Sequence, residues 1–314
     1  MSQPIAETQR ATATEVSNQR RPGATQRQQQ TRLAWLLLLP TLAIVVFVAL
    51  YPLAQTIYQS FTDARLASGV APKFIGLQNY SDLVRDLDFR RSILVTLQFT
   101  LLTVVFEFLL GLGIALVINS AFKGRGVVRT AMLVPWAIPT VVSAQMWKWM
   151  YSDQYGVIND FLGRIGLIDQ PIAFIAQPNT SLAAIAAVDI WKTTPFVALL
   201  LLAGLQVIPG EVYEAARIDG ANAFQQFLRI TMPLLRPAIL VTLIFRTLDS
   251  LRVFDVFYVM FGARQDTQTM AIYNQQNIVS FSDLGYGSAI SVAIFLIIGI
   301  FVVAYVTFLK VEEA

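Results

Sequence analysis

The sequence predicts an all-α integral membrane protein with six transmembrane helices. Three observations predict it: a composition too apolar for a soluble domain, six apolar runs of membrane-crossing length, and one polar amphipathic segment between two of those runs. Of 314 residues, 55% are hydrophobic and 14% charged, with a mean hydropathy of +0.58. A soluble chain of this length cannot hide that much apolar surface. The chain has no cysteine and no histidine, which excludes disulfides, thiolate nucleophiles, soft-metal sites and imidazole proton relays. The net charge of +3 belongs to membrane orientation, and no nucleic-acid partner is expected.

The elements follow in chain order. Residues 1–32 are rich in Gln, Thr and Arg without an apolar run, and are expected to be a disordered cytoplasmic tail. The uncharged run Leu33 to Leu53 is too long for a cleaved signal core and continues without an A-x-A site, so it is expected to be an uncleaved first span. A hydrocarbon core of about 30 Å needs about 20 helical residues. That length selects 33–53, 93–119, 128–150, 182–207, 237–262 and 287–309. The fifth run contains four charges, but Pro233 and Pro237 mark its start and Gly262 its end. Lys123, Arg125 and Arg129 flank the second connection, and Arg217, Arg229 and Arg236 the fourth, so those sides are expected to face the cytoplasm, as are both termini. The first connection is also basic, but Asp63, Asp82, Asp86 and Asp88 balance it.

The fourth connection contains the polar segment Glu214 to Pro233, EAARIDGANAFQQFLRITMP. Val212, Tyr213 and Ala216 can share one helical face and Phe224, Phe227 and Ile230 another, with Asp219-Gly220 as the turn between two short helices. Gly220 permits a positive φ or a close backbone approach. An ordinary interfacial loop is the alternative, but such anchors are usually basic on their polar face, whereas this segment is nearly neutral. The segment resembles the loop shared by the inner-membrane permease subunits of ATP-binding-cassette (ABC) importers: E-A-A, three residues, Gly, nine residues, Ile, two residues, Pro. Glu214, Ala215, Ala216, Gly220, Ile230 and Pro233 match it.

FIGLQNY (Phe74 to Tyr80), VDIWKTTPF (Val188 to Phe196) and LAGLQVIP (Leu202 to Pro209) are similar to the carbohydrate branch of these permeases. FRTLDSLRVFDVFYV (Phe245 to Val259) and GYGSAISV (Gly285 to Val292) are similar to its trehalose and α-glucoside members. One stretch departs from the pattern: FGARQDTQT (Phe261 to Thr269) stands where relatives carry Gly-Gly-Pro, and no role is carried over to it. The resemblance implies a type I ABC importer permease fold, with a six-helix permease domain over 33–314 and a coupling loop at about 209–233. Glu214, Ala215, Ala216, Asp219, Gly220, Ala221 and Phe224 would contact an ATPase.

The implied partners are a second permease subunit, two ATP-binding subunits, an extracytoplasmic sugar-binding protein and the lipid bilayer, in a bacterial inner membrane. No G-x-x-x-x-G-K-[ST] phosphate loop occurs, so this chain is expected to bind no cofactor, with ATP and magnesium held by the partners.

Charges within a span are costly and usually face protein or water. The fifth run has Arg246, Asp249, Arg252 and Asp255, three residues apart and alternating in sign, with Phe254 and Tyr258 beside them. The fourth has Asp189, Trp191, Lys192 and Thr194, followed by Pro195, which cannot donate to the carbonyl of Trp191 and so points to an interruption. The two clusters meet at mid-membrane depth and are the expected substrate path. Indole faces would stack on sugar rings while carboxylates and guanidinium forks take hydroxyls. A salt-bridge ladder that only holds helices together is the other reading. Glu107 is expected to partner a polar neighbour. The competing function is an ion-coupled secondary transporter or channel. An enzyme is disfavoured because no acidic pair has a catalytic spacing.

Overall fold

A computed structural model describes residues 24–308, with side-chain surroundings over 28–307. The described residues contain helices, turns and two isolated bridges, Thr62 with Phe74 and Arg65 with Asp283, but no strand. The chain divides into two compact units, Met1–Gln55 and Thr56–Ala314. Among the described residues five helices are long and apolar enough to cross a membrane, and a pair of helices bent by 88° makes six if it counts as one span.

The first span is helix Ala24–Val45, a π-turn Val46–Leu50 and helix Tyr51–Gln59. The tail expected over 1–32 is therefore helical from Ala24, because the Gln, Arg and Ala there are good helix formers and no breaker separates them from the apolar run. Residues 1–23 lie outside the described residues.

The second span, Leu87–Asn119, starts six residues before its expected boundary at 93. Asp86 supplies the cap: its Oδ1 accepts from the backbone N–H of Asp88 at 2.8 Å and of Phe89 at 3.1 Å. Its Oδ2 accepts from the hydroxyls of Tyr286, at 2.6 Å, and Tyr273. Burial would raise the Asp86 carboxyl, but the tyrosine and backbone hydrogen bonds outweigh it and hold the group below its ordinary range. Burial and the bond to Asp86 push the Tyr273 phenol up to about 12. One carboxylate thus ties the head of the second span to the short helix Met270–Gln275 and to the last span, Leu284–Phe308.

The third span is a correction. A single crossing over 128–150 was expected, but helices Arg125–Ala137 and Thr140–Met150 bend by 88°. Pro139 brings no N–H and drives Ile138 to extended backbone (φ −72°, ψ 132°), and two adjoining non-helical residues suffice to turn the chain.

The fourth span, Pro178–Val207, runs through Pro195 without the interruption that the sequence suggested. Pro195 and its neighbours Thr194, Val197 and Ala198 are buried, so packing holds the helix together there. The helix that leads into the fifth span begins at Ala223, ahead of the expected span. It continues through a π-turn, Phe227–Thr231, into helix Met232–Leu251, breaks, and resumes as Asp255–Phe261. Pro233 falls in the first turn of Met232–Leu251, where a proline is tolerated, so it does not separate this helix from the π-turn before it.

The second and fourth spans pack along each other most extensively, and the fifth lies against both. Leu112, Ala115 and Ile118 meet Val197, Leu201 and Leu205, with Leu235 and Ile239 closing the cluster. A second cluster joins Phe99, Ala144, Ile185, Val188 and Phe257, with the Phe99 and Phe257 rings edge to face at 4.8 Å. Gly111 allows the close approach: a Cβ there would stand 2.6 Å from Val197 Cγ1. Gly111→Leu is therefore expected to destabilise the fold by about 1–3 kcal/mol through overpacking. Thermal unfolding of the purified permease checks this, and an unshifted melting temperature would count against the close contact.

Candidate functional site

At the centre of the bundle, one guanidinium gathers three carboxylates from three helices. Arg246 on the fifth span donates from Nε to Glu107 Oε2 at 2.5 Å and from Nη2 to Glu107 Oε1 at 2.8 Å, a bidentate fork. Nη2 also donates to Asp189 Oδ2 at 3.0 Å, and Nη1 to Asp249 Oδ2 at 2.7 Å. The Thr193 hydroxyl lies against Glu107 Oε1 and donates to the carbonyl of Asp189 at 2.6 Å. Nearby, Thr103 and Ser250 share a hydrogen bond of 3.1 Å between the second and fifth spans.

Exposure separates the members of this hub. The Glu107 side chain is 0% exposed, Arg246 3% and Asp189 12%, whereas Asp249 is 62% exposed. Glu107 is the buried anchor, and Asp249 is the arm that reaches open space. That space is a cavity of about 270 Å³ lined by Asp189, Lys192 and Thr193 of the fourth span, Asp249 to Val256 of the fifth in part, and Trp136 and Thr140 of the third. Its volume is near the lower end of small-molecule sites, about 300–1,000 Å³, which suits a ring-sized group. A separate groove of about 430 Å³ is lined by residues such as Leu97, Val104, Phe108 and Phe301. It has no charged side chain, whereas the smaller cavity is walled by charged side chains of the fourth and fifth spans.

The structure brings Asp189, Lys192, Asp249, Arg252, Phe254 and Asp255 together around the cavity. Arg246 stands behind the wall, tied to the three carboxylates. Trp191 and Thr194 do not line the cavity: the Trp191 ring meets Trp147 edge to face at 5.4 Å, and the buried Thr194 hydroxyl has no hydrogen-bond partner among the described residues. Tyr258 stacks on Phe254 at 5.1 Å and also stands outside the lining. The alternation of sign on the fifth span pairs Arg246 with Asp249, but Arg252 and Asp255 form no ion pair among the described residues. The helix ends at Arg252 (φ −109°, ψ 21°), which removes the three-residue stacking that a continuous helix would provide.

Trp136, Thr140 and Thr193 line the cavity without having been picked out as substrate ligands. Trp136 stacks on Phe196 at 5.8 Å. In the sequence its only signal was a tryptophan between two prolines, and the bend between the third-span helices gave it its position.

The polar segment is a compact turn. Helix Gly210–Ile218 ends at Asp219, and Gly220 adopts φ +81°. The Ala221 N–H returns to the Ala216 carbonyl at 2.9 Å. Asn222 and Gln225 then form a reciprocal capping box that opens the next helix. Glu214, Ala215, Asp219, Gly220 and Phe224 are exposed, whereas Ala216 and Ala221 are half-buried. Ile218 is 87% exposed and Phe224 69% exposed, so the turn presents two large apolar side chains outward.

Residues 107–310 match the family described as binding-protein-dependent transport system inner membrane component. The chain is 41% identical to the sulfoquinovosyl glycerol transport system permease protein of Agrobacterium fabrum over 283 residues, covering 90% of this chain and 91% of that protein. It is also 41% identical to the trehalose/maltose transport system permease protein of Thermococcus litoralis over 282 residues, covering 88% and 93%. Against the trehalose transport system permease protein of Mycobacterium tuberculosis the identity is 38% over 269 residues, covering 86% of each. The fold is similar to a chain of a bacterial ABC transporter that imports the acidic polysaccharide alginate, with a TM-score of 0.78 and 24% identity over 92% of this chain and 99% of that one.

Proposed function

Because this chain belongs to the binding-protein-dependent transport system inner membrane components, we propose that it forms half of the translocation path of an ATP-driven importer for an uncharged, hydroxyl-rich sugar of the α-glucosidic type. It is a transport permease subunit and not an enzyme. A second permease supplies the other half of the path, two ATP-binding subunits hold ATP and magnesium and dock on the exposed turn around Gly220, and an external binding protein delivers the sugar. Both termini and that turn face the cytoplasm of a bacterial cell, in keeping with the basic residues of the short connections.

The observation that carries the sugar reading is the cavity between the fourth span, the broken third span and the fifth. Its polar wall has three carboxylates, Asp189, Asp249 and Asp255, against two cations, Lys192 and Arg252. Carboxylates accept from hydroxyls and repel a second anion, while Trp136 and Phe254 offer flat apolar faces to a sugar ring. Relatives named for trehalose and maltose handle neutral sugars, which agrees with this wall; the relative named for sulfoquinovosyl glycerol handles an anionic one.

The test is the assembled transporter in proteoliposomes, with ATPase and uptake measured across a panel of binding-protein-delivered sugars. Trehalose, maltose and related neutral glucosides are expected to stimulate both, and sulfonated or uronic sugars neither. Asp255→Asn is expected to raise the half-saturating sugar concentration about tenfold, the equivalent of about 1.4 kcal/mol. Uptake that persists without the ATPase subunits would instead identify an ion-coupled transporter. A single cysteine at Ala221, in a chain with none of its own, should react only from the cytoplasmic side.

A further inference from the structure

Lys192 lines the cavity, yet its ammonium is committed elsewhere. Nζ donates to the carbonyl of Ile138 at 2.7 Å and to that of Trp136 at 3.4 Å. Both carbonyls sit where the third span breaks between Arg125–Ala137 and Thr140–Met150. A helix that ends within the protein leaves its last carbonyls without an intrahelical N–H, and Pro139 has no N–H to return to them. A cation is also favourable at the carbonyl end of a helix, where the backbone dipole is negative. Lys192 meets both needs from a neighbouring span, and it is itself only 8% exposed.

The break sets part of the cavity wall. Trp136 lies just before it and Thr140 just after it, and both line the cavity. Trp136 stacks on Phe196, one helical turn beyond Lys192 on the same span. The fourth span therefore grips the break at two points, by charge and by aromatic contact.

We infer that Lys192 is a positioning residue: it pins the bend of the third span to the fourth and so sets where Trp136 and Thr140 stand in the cavity wall, without itself binding substrate. The consequence for uptake rests on the sugar-path reading; the consequence for the bend does not.

The test uses the assembled transporter with spin labels at Val127→Cys and Met146→Cys, one on each arm of the bend, and partners free of cysteine. Lys192→Met keeps the length of the side chain and removes its donors. It is expected to broaden the distance distribution between the labels without sugar and to raise the half-saturating sugar concentration at least fivefold. Lys192→Arg, which keeps donors, should restore a narrow distribution and most of the affinity. Should Lys192→Met fail to assemble, Lys192→Gln supplies the comparison, with an intermediate broadening expected.

A wild-type distribution in the donor-free variant overturns the inference. If sugar affinity falls while the bend is unchanged, Lys192 is a sugar ligand, and the sugar path stands while the pin does not. If the bend loosens and no sugar stimulates any variant or the parent, the pin stands and the sugar reading falls.

Discussion

Arg246→Met is expected to cost the permease about 3–5 kcal/mol of stability, the largest loss from any single substitution in the membrane domain. The substitution removes the guanidinium paired with Glu107, whose side chain is fully buried, and breaks the ion pair of Asp189 beside it. Two neighbouring carboxylates that lose their shared guanidinium stay desolvated and repel one another, with only the more distant Lys192 to offset Asp189. The melting temperature of the purified complex should fall by several degrees and its assembled yield should drop. Glu107→Gln should be milder, because Arg246 keeps its bonds to Asp189 and Asp249 and the amide oxygen still accepts. Asp249→Asn should be milder still for stability, since Asp249 already reaches open space. A melting curve for Arg246→Met that matches the parent would show that the hub does not hold the helices together.

Gly220→Val is expected to lower uptake at least tenfold while ATP hydrolysis by the assembled complex continues. Gly220 adopts φ +81°, and a Cβ built there meets nothing within 4 Å, so the penalty is backbone strain rather than a clash. Left-handed backbone costs an ordinary residue about 1–2 kcal/mol, and a β-branched one more. The strain falls between the Ala221 to Ala216 return bond and the Asn222–Gln225 capping box, where it would re-aim Ile218 and Phe224. Gly220→Asn should retain most uptake, because asparagine tolerates this conformation. If the valine variant couples hydrolysis to uptake as the parent does, the turn is not the element through which force enters.

The exposed turn was legible for a local reason: its signal is contained within twenty residues, and a glycine after an acidic residue between two amphipathic faces can be read without knowing the rest of the molecule. The continuous helical path from Ala223 into the fifth span was not. The π-turn Phe227–Thr231 joins two helices that the sequence separates at Pro233, and proline is compatible with a helix's first turn. The intramembrane charges were legible as a set but not in their pairing. Glu107 and Arg246 are 139 residues apart, and Asp189 and Arg246 are 57 apart. Trp191 and Thr194 share a span with Asp189 and Lys192, yet only the latter two reach the cavity, because helix rotation is set by packing against the second span.

The sequence by itself determined the membrane class, the apolar runs of membrane-crossing length, the polar turn between two of them and the residue types available for recognition. Each of these depends on transfer from water to hydrocarbon or on local spacing, quantities that add along the chain. The tertiary structure alone decided where the third span bends, which carboxylates share Arg246, and that Lys192 points at backbone carbonyls instead of open space. Those outcomes depend on the rotation and depth of helices relative to one another, which arise from contacts between distant parts of the chain.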